Sequence, residues 1–154
     1  MEFSKEEHFI EEFGLLIEKF GATRMSGRVL GWLTIAEPKH QNMGQLVEVL
    51  KAAKSSVSTA LKFLVQIHLV EKCSIPGERT DYYRLKEGVW SGVFDLAMYK
   101  ILKMRELADR GLTLLEELNP ERLEALREMR DIYGFLEEQF PILIKQWEDN
   151  YPGR

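Results

Sequence analysis

A cluster of hydroxyl side chains lies near the middle of the chain, in a stretch that otherwise has the pattern of two short helices. With the neighbouring lysines, its members are Lys54, Ser55, Ser56, Ser58, Thr59 and Lys62. Hydroxyl and ammonium groups hydrogen-bond to phosphates and base edges, and the N-terminus of a helix favours an anion. Hydroxyls also cap helix starts. The cluster therefore has two interpretations, a DNA-binding surface and an ordinary helix cap.

Two short helices are needed to present this cluster. From Gly44 to Ile67, apolar residues recur at spacings of three and four, so each helix has one apolar face. The segment Lys51-Ala52-Ala53-Lys54 between them is long enough only for a turn. This arrangement predicts a helix-turn-helix with a recognition helix over residues 55–67.

The residues that follow predict a β-hairpin. Leu69–Ile75 and Thr80–Leu85 have strand-like composition, and Pro76-Gly77 between them is typical of a turn. A hairpin directly after a recognition helix is the wing of a winged helix, here over residues 75–84. Arg79 near its tip suits a narrow minor groove. The wing makes DNA binding the better interpretation of the hydroxyl cluster.

Charge is distributed unevenly along the chain, whose formal net charge is −4. Between Pro38 and Glu87, eight basic residues accompany five acidic ones, a balance of +3, and the remainder of the chain carries −7. The basic set is Lys39, Lys51, Lys54, Lys62, Lys72, Arg79, Arg84 and Lys86. Positive charge is thus concentrated in the segment that would neutralise phosphates.

Several functional classes find no support in the sequence. It contains no run of eighteen apolar residues, and its acidic start is unlike a secretory signal, so we expect a cytoplasmic protein that does not enter a membrane. A single cysteine, Cys73, excludes an internal disulfide, and the isolated His8, His40 and His68 have no metal-ligand spacing. Glycine-rich phosphate loops and nucleophile elbows are also missing. We therefore predict no enzymatic activity, no cofactor and no metal.

The two ends of the chain predict helices with more apolar surface than one small domain can cover. A helix ending at Gly21 has a large apolar face, which could pack back on the same chain or against a second copy. A helix over Val89–Leu118 would be about 45 Å long. The last helix has a heptad-like seam from Leu126 to Trp147, and Pro141 is expected to kink or end it. We therefore expect a homodimer.

Together these elements predict a mainly α fold with a small β-wing, in which a winged helix-turn-helix domain is flanked by N- and C-terminal dimerisation helices. We expect the N-terminal dimerisation helix over residues 1–21, the DNA-binding domain over 22–87 and the C-terminal helical dimerisation region over 88–154. Such a protein would be a DNA-binding transcription regulator. The alternative, favoured by the net acidity and the large apolar helices, is a winged-helix adaptor subunit that binds proteins and lacks specific DNA binding.

The chain resembles the MarR superfamily of winged-helix transcription regulators in three motifs, GATRMSGRVLGWL, MGQLVEVLKAAKSSVSTALKFL and PGERTDYYRL. Their order is most similar to that of the GbsR-type branch. The resemblance implies a dimer with interleaved terminal helices that binds double-stranded DNA at two half-sites of a pseudo-palindrome. It places Glu78-Arg79 where the family has an aspartate-arginine pair. By position it assigns the major groove to Ser55, Ser56, Ser58, Thr59 and Lys62, and the wing contact to Arg79 and Thr80.

The mechanism expected of such a dimer requires no cofactor. Two recognition helices about 34 Å apart, or a multiple of that distance, match one turn of DNA, and a small change of angle would spoil the fit. We therefore expect a repressor that a small-molecule effector can release. The GbsR likeness would suggest choline or betaine-type compounds. Candidate walls of an effector pocket are Trp32, Trp90, Phe94 and Tyr99, although aromatic residues at helical spacing more often belong to a core.

Overall fold

A computed structural model describes residues 4–151 of the 154-residue chain. Most of these residues are helical, and a small three-stranded antiparallel sheet accompanies them. The predicted mainly α fold with a small β-wing is confirmed. Contacts divide the chain into two compact units, one ending at Val89 and the other beginning at Trp90.

The first unit contains four helices and three strands. The helices are α1 (Lys5–Lys19), α2 (Arg24–Ile35), α3 (Met43–Leu50) and α4 (Lys54–Gln66). The strands are β1 (Gln41–Asn42), β2 (Val70–Ser74) and β3 (Asp81–Leu85). Polar residues mark the start of three helices, since Ser4, Thr23 and Asn42 each accept a hydrogen bond from a backbone N–H three residues later.

Glycines line the contact between α1 and α2, so the two helices lie very close together. A β-carbon on Gly27 would lie 2.7 Å from Cα of Gly14, and one on Gly31 would lie 2.9 Å from Cβ of Phe13. Ile10 is buried on the same side of α1. Part of the apolar face of α1 therefore packs back on the same chain. Apolar side chains that stay exposed on α1 and its C-cap are Leu15, Leu16 and Phe20.

The core of the first unit joins α2, α3, α4 and β2. Leu30, Leu46, Leu50, Leu61 and Leu64 have no more than 2% of their surface exposed. The leucines of α3 and α4 occupy the predicted three- and four-residue spacings, so both helices bury one face and turn the other outward. The helix-turn-helix is thereby positioned by its own apolar residues.

The predicted wing is present. β2 and β3 pair antiparallel from Val70↔Leu85 to Ser74↔Asp81, and the two-residue β1 pairs with the outer side of β3. The strand order is β1-β3-β2, with a tip over residues 75–80. β2 also contacts α4, so the wing and the predicted recognition helix belong to one packed unit.

The second unit contains α5 (Gly92–Leu114) and α6 (Glu124–Asn150), joined by turns and a short 3-10 helix (Pro120–Leu123). The expected helix over 89–118 was too long at both ends, because the apolar spacing continues into the flanking turns. Pro141 does not end the last helix, which continues to Asn150. Phe94 of α5 contacts aromatic rings of α6 on both sides of Pro141, Phe140 and Trp147. This packing supports α6 beyond the proline.

Candidate nucleic-acid interface

α4 carries the predicted hydroxyl cluster and starts without a side-chain cap. Lys54 is its first residue, Ala53 occupies the N-cap position, and no side chain among residues 4–151 caps the helix. The interpretation of these hydroxyls as helix caps was therefore wrong, because the cap position is an alanine. The first backbone N–H groups of α4 have no intrahelical partner, as at any helix start. Such groups and the helix dipole attract an anion.

The hydroxyls and lysines of α4 face away from the core. Lys54, Ser55, Ser56, Thr59 and Lys62 are exposed, and Ser58 is half-buried. Thr59 differs from the serines, because its Oγ1 donates to the backbone carbonyl of Ser55 at 3.0 Å. The opposite face of the helix is buried through Val57, Ala60, Leu61 and Leu64. The polar residues of α4 recur at spacings of three and four, so they form a polar surface along one side of the helix.

Charged groups of α1 and α2 hold the turn before α4. Lys51 has a left-handed φ of 47° at the C-cap of α3, and its Nζ lies 2.6 Å from Oε1 of Glu7. Nη2 of Arg28 donates to the carbonyl oxygen of Leu50 at 2.7 Å, and its Nε lies 2.6 Å from Oε1 of Glu11. Sequence reasoning missed these contacts, because the partners of Lys51 and Leu50 are 44 and 22 residues away in the chain.

The wing tip is a tight turn that ends directly before Arg79. The N–H of Glu78 donates to the carbonyl oxygen of Ile75 at 3.0 Å, and Gly77 has a φ of +87°. Proline followed by a glycine with positive φ is the pattern of a type II turn. Arg79 and Thr80 follow the turn and are exposed, and their contact with DNA stays a prediction.

The carboxylates of the wing all have partners within the first unit. Glu71 pairs with Arg84 and Asp81 pairs with Lys72, both at 2.7 Å, and Glu78 accepts a hydrogen bond from the hydroxyl of Tyr82. The bond to Asp81 raises the pKa of Lys72, and the bond to Glu71 raises the pKa of Arg84. In the part of the chain that the structure describes, Arg79 has no ion-pair partner. Among the described residues, Arg79 is therefore the basic side chain of the β2–β3 hairpin without an ion pair, and it lies next to Glu78, whose partner Tyr82 is an uncharged donor.

The ion pairs reduce the number of basic residues that can contact phosphates. Lys51, Lys72 and Arg84 are paired with carboxylates of the same chain, which sequence counting could not reveal. The other members of the basic set have no ion pair among residues 4–151, and they are Lys39, Lys54, Lys62, Arg79 and Lys86. Three of these, Lys54, Lys62 and Arg79, belong to α4 or the wing tip. Fewer basic side chains are therefore available to phosphates than the count from the sequence suggested. Those on α4 and the wing tip lie on the two elements that were predicted to contact DNA.

The four aromatic residues predicted to line an effector pocket lie in different surroundings. Trp32 is half-buried in the first unit, where its Nε1 donates to Oε1 of Gln41 at 3.2 Å. Phe94 is half-buried against α6, whereas Trp90 and Tyr99 are exposed. Nζ of Lys103 lies 5.9 Å from the centre of the Tyr99 ring. Their role as walls of an effector pocket stays a prediction.

Metal-binding and membrane-spanning features are absent from the described residues. Between residues 4 and 151, no three His, Cys, Asp or Glu side chains are grouped so that they could hold a metal ion. Cys73 is a free, half-buried thiol on β2. None of the helices in this range combines the length and the apolar content that a membrane crossing needs.

The second unit matches a known protein family. A family model described as MmpR5-like MarR family transcriptional regulator matches residues 88–150. The match covers α5, the connecting turns and α6, and it ends where α6 ends.

Individual proteins match over most of the chain. The HTH-type transcriptional regulator MmpR5 of Mycobacterium tuberculosis (strain ATCC 25618 / H37Rv) is 33% identical over 129 residues, which cover 84% of this chain and 78% of that protein. The putative HTH-type transcriptional regulator YvaV of Bacillus subtilis (strain 168) is 26% identical and covers 95% of this chain and 81% of its own length. A crystal structure described as a transcriptional regulator has a TM-score of 0.80 and 29% identity, with 95% of this chain and 99% of that chain covered. These alignments include both the helix-turn-helix and the wing.

Proposed function

Because this chain belongs to the MarR family and is a DNA-binding transcriptional regulator, we propose that it represses transcription as a homodimer bound to a pseudo-palindromic operator. Each subunit would insert α4 into the major groove and place the wing tip against the minor groove. Residues 22–87 would bind DNA, and residues 1–21 and 88–154 would supply the dimer contacts. The family consists of transcriptional regulators, which are not enzymes. A cytoplasmic location follows from this proposal, since the operator lies there.

The uncapped start of α4 carries the proposal. Ser55 and Ser56 are exposed beside backbone N–H groups that no side chain among residues 4–151 caps. Lys54 and Lys62 add two positive charges to the same helix, and Arg79 adds one at the wing tip. Donors of this kind hold a protein in register on DNA phosphates, and serine hydroxyls can also bond to base edges. A helix pair with only a structural role would not need this uncompensated positive charge.

Exposed apolar side chains support the homodimer. Large apolar side chains are exposed in both units of the described residues, and α6 has no buried residue. In the first unit, Leu15, Leu16 and Phe20 lie on α1 and its C-cap, where Phe20 is 75% exposed, and the others are Ile35 of α2 and Phe63 and Ile67 of α4 and its C-cap. In the second unit, those on α5 and α6 include Val93, Leu96, Leu107, Leu114, Ile132, Phe135, Ile142 and Leu143. A second copy of the chain could cover these side chains.

An effector that releases the DNA is part of the proposal. Our assignment to the GbsR-type branch rests on the motifs between Gly21 and Leu85, and it suggests quaternary ammonium compounds as effectors. Aromatic rings such as those of Trp90, Phe94 and Tyr99 attract such cations. Choline and betaine are therefore the first compounds to test for release of bound DNA.

DNA binding tests the proposed function directly. Fluorescence anisotropy would measure the affinity for the DNA upstream of the protein's own gene at several salt concentrations. We expect Lys62→Ala and Arg79→Ala to weaken binding, and each phosphate interaction that a substitution removes should lower the salt slope by about 1. Lys145→Ala, checked by sedimentation to keep the subunit association of the wild type, is the matched control, because Lys145 is an exposed helical lysine outside the first unit.

Two outcomes would contradict the proposal. Unchanged binding by both Lys62→Ala and Arg79→Ala would exclude the assigned surface. A single copy in sedimentation at micromolar concentration would exclude the homodimer. Capture of a stoichiometric protein partner of another sequence, together with the lack of any salt-sensitive DNA binding, would instead favour the adaptor function.

A further inference from the structure

Tyr82 of β3 is a buried residue close to the tip of the wing. Only 7% of its surface is exposed. It lies opposite Cys73 of β2 and Asn42 of β1, so its backbone is held in the middle of the sheet. The ring of His40 contacts its ring edge-on at 5.4 Å between centroids. The backbone and the ring of Tyr82 are therefore fixed in place, so its hydroxyl can hold another side chain in a defined position.

The hydroxyl of Tyr82 donates to the carboxylate of Glu78 in the wing tip. Glu78 is thus held twice, by this side-chain bond and by its backbone N–H, which donates to the carbonyl oxygen of Ile75 at 3.0 Å. The bond to Glu78 also raises the pKa of Tyr82, so the hydroxyl keeps its proton as a donor. On the other side of the tip, Asp81 is held by its pairing with Ser74 and by Lys72. Only Arg79 and Thr80 lie between these two held residues.

We propose that Tyr82 is a positioning residue for DNA binding, whose hydroxyl holds Glu78 against the hairpin and thereby fixes the direction in which Arg79 leaves the wing tip. The same bond ties down the one wing carboxylate that has no basic partner among the described residues. A free carboxylate next to Arg79 would repel phosphates and could pair with the guanidinium itself. This inference rests on the proposed contact between Arg79 and DNA.

Packing alone does not explain the hydroxyl. A phenylalanine at position 82 would keep the ring, its contact with His40 and the strand pairing, and would lose the bonds of the hydroxyl to Glu78 and to the side chain of Asn42. Tyr82→Phe therefore separates the positioning effect from a packing effect. Glu78→Ala removes the same bond from the other end, and Glu78→Gln keeps an acceptor for the hydroxyl while it removes the charge.

The test is a double-mutant cycle on DNA affinity, measured by fluorescence anisotropy with a duplex from the protein's own upstream DNA. We expect Tyr82→Phe and Glu78→Ala each to weaken binding by roughly 3- to 10-fold, the effect of one hydrogen bond. In an Arg79→Ala background the same changes should have less than about a twofold effect, because the group that they position is gone. Glu78→Gln should bind at least as tightly as the wild type.

Circular dichroism and thermal melts of each variant check that it folds, and amide hydrogen exchange should be faster at residues 78–80 of Tyr82→Phe than of the wild type. Wild-type affinity in Tyr82→Phe, or an equal loss with and without Arg79, would overturn the inference and leave the proposed function intact, since the wild type still binds. Failure of the wild type to bind any genomic fragment would overturn both.

Discussion

Nζ of Lys51 lies 2.6 Å from Oε1 of Glu7, and this salt bridge joins the N-terminal helix to the turn of the helix-turn-helix. The carboxylate also accepts the backbone N–H of Ser4 at 2.9 Å through its other oxygen. A movement of α1 would therefore act on the turn that precedes α4. Since α1 is also a proposed dimer contact, the Glu7–Lys51 salt bridge would connect the arrangement of the two subunits with the position of α4.

The salt bridge predicts a pH-dependent stability. The bond from Lys51, followed by the backbone bond from Ser4, lowers the pKa of Glu7 from its ordinary value of 4.5. A carboxylate with a lowered pKa in the folded state stabilises the fold fully above its unfolded pKa, and the stabilisation is lost as pH falls through the folded pKa. We expect Glu7→Gln, which keeps the capping acceptor, to be less stable than the wild type at pH 7. In urea unfolding the difference should begin to shrink below pH 4.5 and disappear as pH falls through the lowered pKa of Glu7, and a difference that does not shrink with falling pH would contradict the assignment.

Arg28 should contribute more to stability than its neighbour Arg24. Both pair with Glu11, but Arg28 also donates to the carbonyl oxygen of Leu50, and its side chain is 20% exposed against 47% for Arg24. We expect Arg28→Ala to lower the free energy of unfolding by about 2 kcal/mol, because the Leu50 carbonyl loses a partly buried donor and Glu11 loses an ion-pair partner. Arg24→Ala should lower it by less than about 1 kcal/mol. Equal effects in denaturant unfolding would refute this ranking.

The close contact of α1 and α2 should not tolerate a side chain at Gly27. A β-carbon there would lie 2.7 Å from Cα of Gly14, which is backbone and cannot move aside. We expect Gly27→Ala to destabilise the protein by about 1–3 kcal/mol. Gly134→Ala in α6, checked by sedimentation to keep the subunit association of the wild type, is the control, because a β-carbon there meets nothing within 4 Å in its own subunit and alanine favours a helix by up to about 1 kcal/mol. The variants should be compared at one protein concentration, and a stable Gly27→Ala would show that the helices can separate freely.

Thr59 and Ser55 should differ in DNA binding although both are exposed on one side of α4. The Thr59 hydroxyl already donates to the Ser55 carbonyl at 3.0 Å within the helix. Thr59→Val keeps the shape of the side chain and removes a hydroxyl that is bonded to the helix backbone. We expect Thr59→Val to bind DNA within about twofold of the wild type. Ser55→Ala should weaken binding by roughly 2- to 10-fold, because that hydroxyl is available to DNA. A larger loss from Thr59→Val in fluorescence anisotropy would mean that its hydroxyl changes partner on DNA.

Most of the fold was predictable because its signals are local. Apolar spacing in α3 and α4 and the Pro76-Gly77 turn depend on neighbouring residues, so both elements follow from short stretches of sequence. Sequence alone was less informative about where helices end, because packing on the partner helix determines where a helix continues. This applies to the helix ends near Val89 and Leu118 and to the course of α6 past Pro141. The bond from Tyr82 to Glu78 was not predictable either, because it depends on the folded hairpin and Tyr82 has the sequence pattern of any aromatic residue in a strand.

The amino-acid sequence by itself determined the helix-turn-helix, the wing and the set of polar groups that α4 and the wing tip carry. Tertiary structure decided which of those groups are available. It pairs Lys51, Lys72 and Arg84 with carboxylates, engages Glu78 with Tyr82 and leaves Arg79 unpaired among the described residues. Secondary structure follows from contacts a few residues apart, whereas the partner of a charge depends on which distant residues the fold brings within a few ångströms.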